Sequence, residues 1–325
     1  MNSYFLPTIV LLLVFIFTVL IEKPLISVLS SRARQPIYKD GPSWHLSKQG
    51  TPTMGGLAFV LSSAIALIVS SFFLINSGIK DVLISIVISI SFCLCNSFIG
   101  VVDDLTKLKR KENAGLTPIQ KLVFQAIFAV IFLMARRHFL GDTTTLDFLL
   151  FKADIGFLYY PMAIILLLGI INCANLTDGI DGLSSSVALT VGAVFLFIGA
   201  GNLESSLLSA ILIGGAIGFL LFNAHPAKIF MGDTGSLFLG ALSVCLAFSI
   251  GKPLTIILIG GVYVIEGISV IIQVAVYKTT KKRIFKMAPL HHHLEKCGIE
   301  ESRICAVAVA VTLVLSAITL LIIGR

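Results

Sequence analysis

The sequence predicts an all-α, polytopic integral membrane protein of about ten transmembrane helices. Three observations predict it. Of 325 residues, 57% are hydrophobic and 13% charged, against roughly 45–50% and about 25% in soluble chains. The mean hydropathy is +1.00. Apolar runs near the ~20 residues of a spanning helix recur along the whole of 1–325, which reads as a single transmembrane domain. These features argue against a soluble enzyme, a disordered chain and a secreted disulfide scaffold.

The runs lie near 4–29, 55–76, 80–102, 117–139, 156–174, 184–200, 205–222, 235–250, 253–277 and 303–323. The leader Met1-Asn2-Ser3 is uncharged and the basic residues Lys23, Arg32 and Arg34 follow, so the first run reads as a retained helix with its N-terminus outside, not a signal peptide. The second run opens from Ser47-Lys48-Gln49-Gly50-Thr51-Pro52-Thr53-Met54-Gly55-Gly56, whose glycines permit close backbone approach. If the third helix continues past its apolar run, Asn96, Gly100, Asp103 and Lys107 form one stripe at helical spacing. Asp103 and Asp104 then sit at a helix C-terminus, where the macrodipole disfavours anions, so they need a cation. Lys121 opens the fourth run.

The fifth run passes into Asn172-Cys-Ala-Asn175-Leu-Thr-Asp178-Gly179-Ile-Asp181-Gly182, with an oxygen-bearing side chain at every third residue. An Asx-rich turn with glycine caps is the structural alternative. Runs six and seven, joined by the short loop 201–205, are among the marginal ones in length. The eighth follows Asn223-Ala-His225-Pro226-Ala-Lys228-Ile-Phe230-Met-Gly232-Asp233-Thr-Gly-Ser236, where Asp233 reads either as a ligand or as a helix N-cap. Glu266 lies inside the ninth run, as a functional candidate or a structural hydrogen-bond partner, and is left out of the expected site. Before the tenth comes Ala288-Pro-Leu-His291-His292-His293-Leu-Glu295. Three successive side chains diverge on any regular backbone, which makes this a poor zinc site and a better substrate or phosphate contact. The six cysteines show no zinc or redox spacing and read as small core residues.

Alternate loops 31–54, 103–121, 175–183, 223–234 and 278–303 hold 17 of the 24 Lys and Arg, and the other side holds six. The imbalance places the first set in the cytoplasm and both termini outside. It reports orientation and anionic lipid, so no nucleic-acid partner is expected. The same loops hold five of six histidines and ten of 17 carboxylates. Asp103, Asp104, Asp178, Asp181 and Asp233 beside Lys48, Lys107 and Lys121 offer hard oxygen ligands next to point cations, the requirement of a Mg²⁺–pyrophosphate site. No P-loop is present.

Together, segments 48–56, 102–107, 175–182, 223–236 and 288–295 resemble the phospho-N-acetylmuramoyl-pentapeptide transferase family of the polyprenyl-phosphate N-acetylhexosamine-1-phosphate transferase superfamily. The likeness covers nearly the whole chain. The resemblance implies a ten-spanning homodimer of the bacterial inner membrane with its active site facing the cytoplasm. It implies transfer of phospho-MurNAc-pentapeptide from UDP-MurNAc-pentapeptide to undecaprenyl phosphate with Mg²⁺, releasing UMP. It makes Asp233 the metal ligand and Asp103 and Asp104 the essential pair, with Asp103 deprotonating or orienting the lipid phosphate. Asn175, Asp178 and Asp181 fall in the catalytic and nucleoside motif, and Lys48, Lys107 and Lys121 on phosphate-contacting positions. Phe230 matches an aromatic that stacks on uracil, Gly179 and Gln273 lie near the nucleoside, and His291 and His292 match essential or ligand-contacting positions. Two rivals stand beside this reading. One is a transferase for another UDP-amino-sugar such as UDP-GlcNAc; the other is a transporter, which would gather charge at the bilayer midplane.

Overall fold

The structure, a computed structural model, describes residues 5–32, 48, 50–110 and 115–324. Arg34, Lys39, Ser47, Gln49 and Lys111 of the expected cytoplasmic loops lie outside them, as does Arg325. Among the described residues, nine helices are long and apolar enough to span a membrane. They are α1 (Phe5–Arg32), α2 (Gly56–Asn76), α3 (Lys80–Arg110), α4 (Pro118–Leu140), α5 (Tyr159–Thr177), α7 (Leu203–Asn223), α8 (Gly232–Ser249), α10 (Gly261–Thr280) and α12 (Glu301–Ile323). A shorter apolar helix, α6 (Leu183–Ile198), makes ten hydrophobic helices. The ninth run is not one helix: Gly260 separates the single turn α9 (Thr255–Ile259) from α10. The last long loop carries a further short helix, α11 (Leu290–Lys296).

Helices α7 and α8 form the centre and are the most enclosed, while α4 and α12 expose most of their apolar faces. This is the distribution expected where lipid, not water, is the outer solvent. Aromatic contacts tie the middle layer, with Phe92 stacked on Phe132 at 4.7 Å and Phe59 edge-on to Phe238 at 5.2 Å. Helix α3 meets α8 closely because Gly100 lacks a side chain; a Cβ there would strike the backbone of Asp233 and Thr234. Ser97 consolidates the crossing by donating its hydroxyl to Thr234 O at 2.9 Å.

Polar side chains gather at the two ends of this bundle. At one end Arg136 of α4 is buried, pairing with Asp142 at 2.7 Å and with Glu204 of α7 at 3.0 Å, and donating to Ser85 of α3 at 3.3 Å. A cavity of about 250 Å³ lies beside it, lined by Tyr159, Ser249 and Pro253 among others. Next to this cluster, the loop after α4 forms an antiparallel hairpin of β1 (Thr145–Asp147) and β2 (Lys152–Asp154), with Leu146 opposite Ala153. Ser85 and Asp103 are 18 residues apart on α3, ~27 Å at 1.5 Å per residue. The carboxylates expected to act in chemistry therefore lie at the opposite end.

A further buried carboxylate lies beside the segment 48–56. Glu22 of α1 is fully enclosed, with neither oxygen hydrogen-bonded among the described residues, and it crowds Gly55 together with Phe219 and Ile229. Glu22 thus joins Glu266 as a buried carboxylate within an apolar run. Burial at a three-helix contact hides Glu22 from composition.

Candidate active site

Helix α3 runs unbroken to Arg110, so the expected stripe forms and Lys107 Nζ reaches Asp103 Oδ2, one turn back, at 2.7 Å. Helix α4 starts at a capping box, Thr117 with Gln120, and Pro118 at its first position. That start puts Lys121 in the first turn, pointing back at α3. Its Nζ lies 3.0 Å from Asp103 Oδ1 and 2.5 Å from Asp233 Oδ2. Lys107 also approaches Asp233, at 3.4 Å, and Asp104, at 4.0 Å. The backbone N–H of Leu116 completes the hold on Asp103 Oδ1 at 2.7 Å.

Asp233 is not the N-cap of α8, which is Met231; it sits in the first helical turn. The capping is done across the bundle by Asp104. Its Oδ1 accepts the N–H of Asp233 at 3.2 Å, and its Oδ2 accepts the N–H of Thr234 at 2.9 Å. The first amides of a helix have no partners in their own helix and favour an anion. This explains why two successive aspartates can close α3: one faces lysines and the other faces a helix N-terminus. Asn175 of α5 adds Nδ2 contacts to Asp233 Oδ1 at 3.2 Å and Ser236 Oγ at 2.7 Å. Asn172 does not join them. The helix turns it toward α4, where it donates to Gln125 Oε1 at 2.7 Å.

Oxygen atoms of Asp103, Asp104 and Asp233 lie within 4.8 Å of one another and could hold a metal ion. Three carboxylates face two lysines, so the centre is short of positive charge. All its donors are hard oxygens, which suits a small divalent cation better than a soft metal.

A second centre gathers around Asp181. Lys48 Nζ lies 2.8 Å from its Oδ1, while His225 Nδ1 at 3.1 Å and the N–H of Ala227 at 3.0 Å meet Oδ2. Asn223 orders this corner, accepting the N–H of Gly182 at 3.1 Å and donating to Ile229 O at 2.9 Å. Phe230 is pinned through its backbone, donating to Pro52 O at 2.8 Å and accepting from Gly55 N–H at 2.9 Å. The 48–56 segment and the 223–236 segment thus form one ledge.

The turn after α5 bridges the centres. Asp178 is half-buried; its N–H donates to Asn175 O at 3.2 Å, while its carboxylate has no hydrogen-bond or ion-pair partner among the described residues. Loss of hydration, then the charges of Asp233, Asp104 and Asp181, push its carboxyl up to about 8. Under the next residue lies His291. A Cβ on Gly179 would collide with His291 Nε2, and the ring is fully buried. Behind it Glu266 accepts the His291 N–H at 3.2 Å and stands 3.2 Å from Nδ1. Glu266, left out by sequence reasoning, is the partner of a residue that reasoning included. The three histidines diverge as expected. His292 Nδ1 lies 2.6 Å from Glu295 Oε2, and His293 Nδ1 accepts the N–H of Lys286 at 3.1 Å.

Gln273 does not reach either carboxylate centre. It donates to Phe285 O at 3.1 Å and accepts the N–H groups of Ile284 and Phe285, bracing the basic loop before α11. Sequence reasoning missed Glu301, which binds Lys48, and His225 as a partner of Asp181. No local signal marks Glu301, since a glutamate in a first helical turn is ordinary.

A model of glycosyl transferase family 4 matches residues 83–251. A phospho-N-acetylmuramoyl-pentapeptide-transferase signature matches residues 48–60. The chain is 42% identical over 283 residues to a phospho-N-acetylmuramoyl-pentapeptide-transferase of Clostridium botulinum, covering 86% of this chain and 85% of that one. It is 42% identical over 298 residues to a protein of that name from Halalkalibacterium halodurans, covering 90% of each. A third, from Clostridioides difficile, is 38% identical over 294 residues, covering 88% of each.

Proposed function

Because the chain belongs to the phospho-N-acetylmuramoyl-pentapeptide-transferase family, we propose that it moves phospho-MurNAc-pentapeptide from UDP-MurNAc-pentapeptide to undecaprenyl phosphate. The products are lipid I and UMP, and the step belongs to peptidoglycan synthesis. The observation that carries this reading is the meeting of Asp103, Asp104 and Asp233 with Lys107 and Lys121 at one end of a membrane-spanning bundle. A lipid phosphate held at a membrane surface and a soluble nucleotide sugar can meet only at such an end.

Phosphoryl transfer asks the protein for positioning and charge neutralisation more than for covalent work. Mg²⁺, bound by Asp233 with Asp103 or Asp104 beside it, would supply charge neutralisation on the pyrophosphate. Lys107 and Lys121, now turned onto Asp103 and Asp233, are placed to transfer their hydrogen bonds to phosphate oxygens. Asp103 lies between both lysines and deprotonates or orients the attacking lipid phosphate. Asp104 holds the start of α8, and so Asp233, in place. Lys48, Asp181, Gly179 and Phe230 form the ledge for the nucleoside diphosphate, with Asn175 and Asp178 between ledge and metal. His291 and His292 support the sugar-phosphate side, and Gln273 acts through the loop it braces. The same reading covers one catalytic domain, 1–325, homodimeric in the inner membrane, its site open to the cytoplasm.

The signature over 48–60 favours the muramoyl donor over other UDP-amino-sugars. The test is UMP release and lipid-product formation by purified protein in nanodiscs, with and without Mg²⁺. Turnover of UDP-MurNAc-pentapeptide that stops on chelation is expected. Turnover of UDP-GlcNAc alone would overturn the assignment.

A further inference from the structure

The first two turns of α12 reach into the nucleotide ledge at two points of one residue. Glu301 Oε2 accepts the backbone N–H of Asp181 at 2.9 Å. One turn further on, Cys305 Sγ donates to the backbone carbonyl of Asp181 at 3.3 Å. Spacing of i and i+4 puts the two side chains on the same helix face, and that face holds the Asp181 main chain from both sides. Glu301 does more. Its Oε1 lies 2.6 Å from Lys48 Nζ, and its Oε2 lies 3.8 Å from His225 Nδ1.

A glutamate in a first turn ordinarily serves its own helix, where the amides are unpaired. Glu301 does not: among the described residues its bonds go to Lys48 and Asp181, on segments remote in sequence. With its main chain held by α12, Asp181 keeps its carboxylate for Lys48, His225 and Ala227. Lys48 is likewise pinned between two carboxylates. Both residues belong to the ledge assigned above to the nucleotide.

We propose that Glu301 and Cys305 are positioning residues, a clasp by which α12 sets Asp181 and Lys48 for the uridine-diphosphate end of the donor. The inference rests on the reading of that ledge. Neither residue touches substrate; each acts through Asp181 or Lys48. The carboxylate bears the larger share because hydrogen bonds to a charged group are the stronger ones, and a thiol is a weak donor.

The test is steady-state kinetics of the full-length protein in nanodiscs, varying each substrate separately. Glu301→Ala is expected to raise KM for UDP-MurNAc-pentapeptide by ~10–100-fold, the scale of one charge-assisted contact, with KM for undecaprenyl phosphate unchanged. Glu301→Gln, of the same shape, can still accept the Asp181 N–H and is expected to fall between wild type and alanine. Cys305→Ser, which restores a donor, should lie nearer wild type than Cys305→Val. A merely structural role would lower kcat and active fraction without favouring one substrate, and that result overturns the clasp. Asp181→Asn and Lys48→Ala separate the two layers of the argument. If they raise the nucleotide KM while the Glu301 variants do not, the clasp alone falls. If they leave it unmoved, the ledge is not the nucleotide site and the clasp falls with it.

Discussion

Asp104 caps a helix to which it does not belong: its Oδ2 accepts both the N–H of Thr234, at 2.9 Å, and the Thr234 hydroxyl, at 2.7 Å. The neighbouring Asp103 faces Lys107 and Lys121 instead, and takes the N–H of Leu116 just before α4. Adjacent aspartates therefore divide their work. Asp104→Ala leaves buried amides unpaired and should destabilise the protein by about 1–3 kcal/mol, besides displacing Asp233. Unfolding in detergent, read beside turnover, checks this. Activity lost with no change in stability would remove Asp104 from its capping role.

Asp233→Ala should behave in the opposite way. Its carboxylate contacts Lys121, Lys107 and Asn175 and caps nothing. Turnover should fall by ~10²–10³ or more, the scale of losing one preorganised charge contact, with the fold retained. Mg²⁺-dependent protection against thermal unfolding should disappear with it. Near-normal turnover would remove Asp233 from the metal centre.

The raised carboxyl of Asp178, at about 8 against an ordinary 3.8, has a definite sign. Between those values the folded state binds a proton that the unfolded state has released, so stability falls as pH rises through the window. Below it both states are protonated and the contribution is complete. Metal-free protein should lose stability from about pH 4 to about pH 8, and Asp178→Asn, permanently neutral, should show a shallower decline. Parallel curves would mean that Asp178 keeps its ordinary affinity for protons.

Gly179→Ala should impair turnover because the added methyl meets His291 Nε2, and the ring is backed by Glu266 and cannot retreat. Removing the ring should relieve the clash. In a His291→Ala background the same change is expected to cost less, a coupling of at least ~0.5 kcal/mol in a double-mutant cycle. Simple additivity would place the two residues out of contact.

At the far end of the bundle, Arg136→Ala leaves Glu204 and Asp142 without their cation. Breaking a buried pair this way costs roughly 3–5 kcal/mol. Stability should drop while turnover per folded molecule stays close to wild type. A specific loss of kcat would instead couple the two ends.

The spans were legible because lipid imposes length and apolarity on each one separately. So was the Asp103–Lys107 pair, since helical spacing alone places it, and the divergence of His291, His292 and His293 followed from the same geometry. Contacts between segments were another matter. Asn172 and Asn175 share a period but part company, because α5 packs between α4 and α8 and each side chain serves a different neighbour. Arg136 with Glu204, Glu266 with His291, and Glu22 against Gly55 depend on which helices touch, and periodicity says nothing of that. The break at Gly260 is hidden for a similar reason: the run stays apolar across it.

The bond between Lys48 and Glu301 joins residues 253 positions apart. During synthesis, the lysine emerges from the ribosome long before its partner does. A nascent chain whose earlier helices are already in the bilayer still lacks the carboxylate that pins Lys48, so this corner of the ledge closes only once α12 has been made.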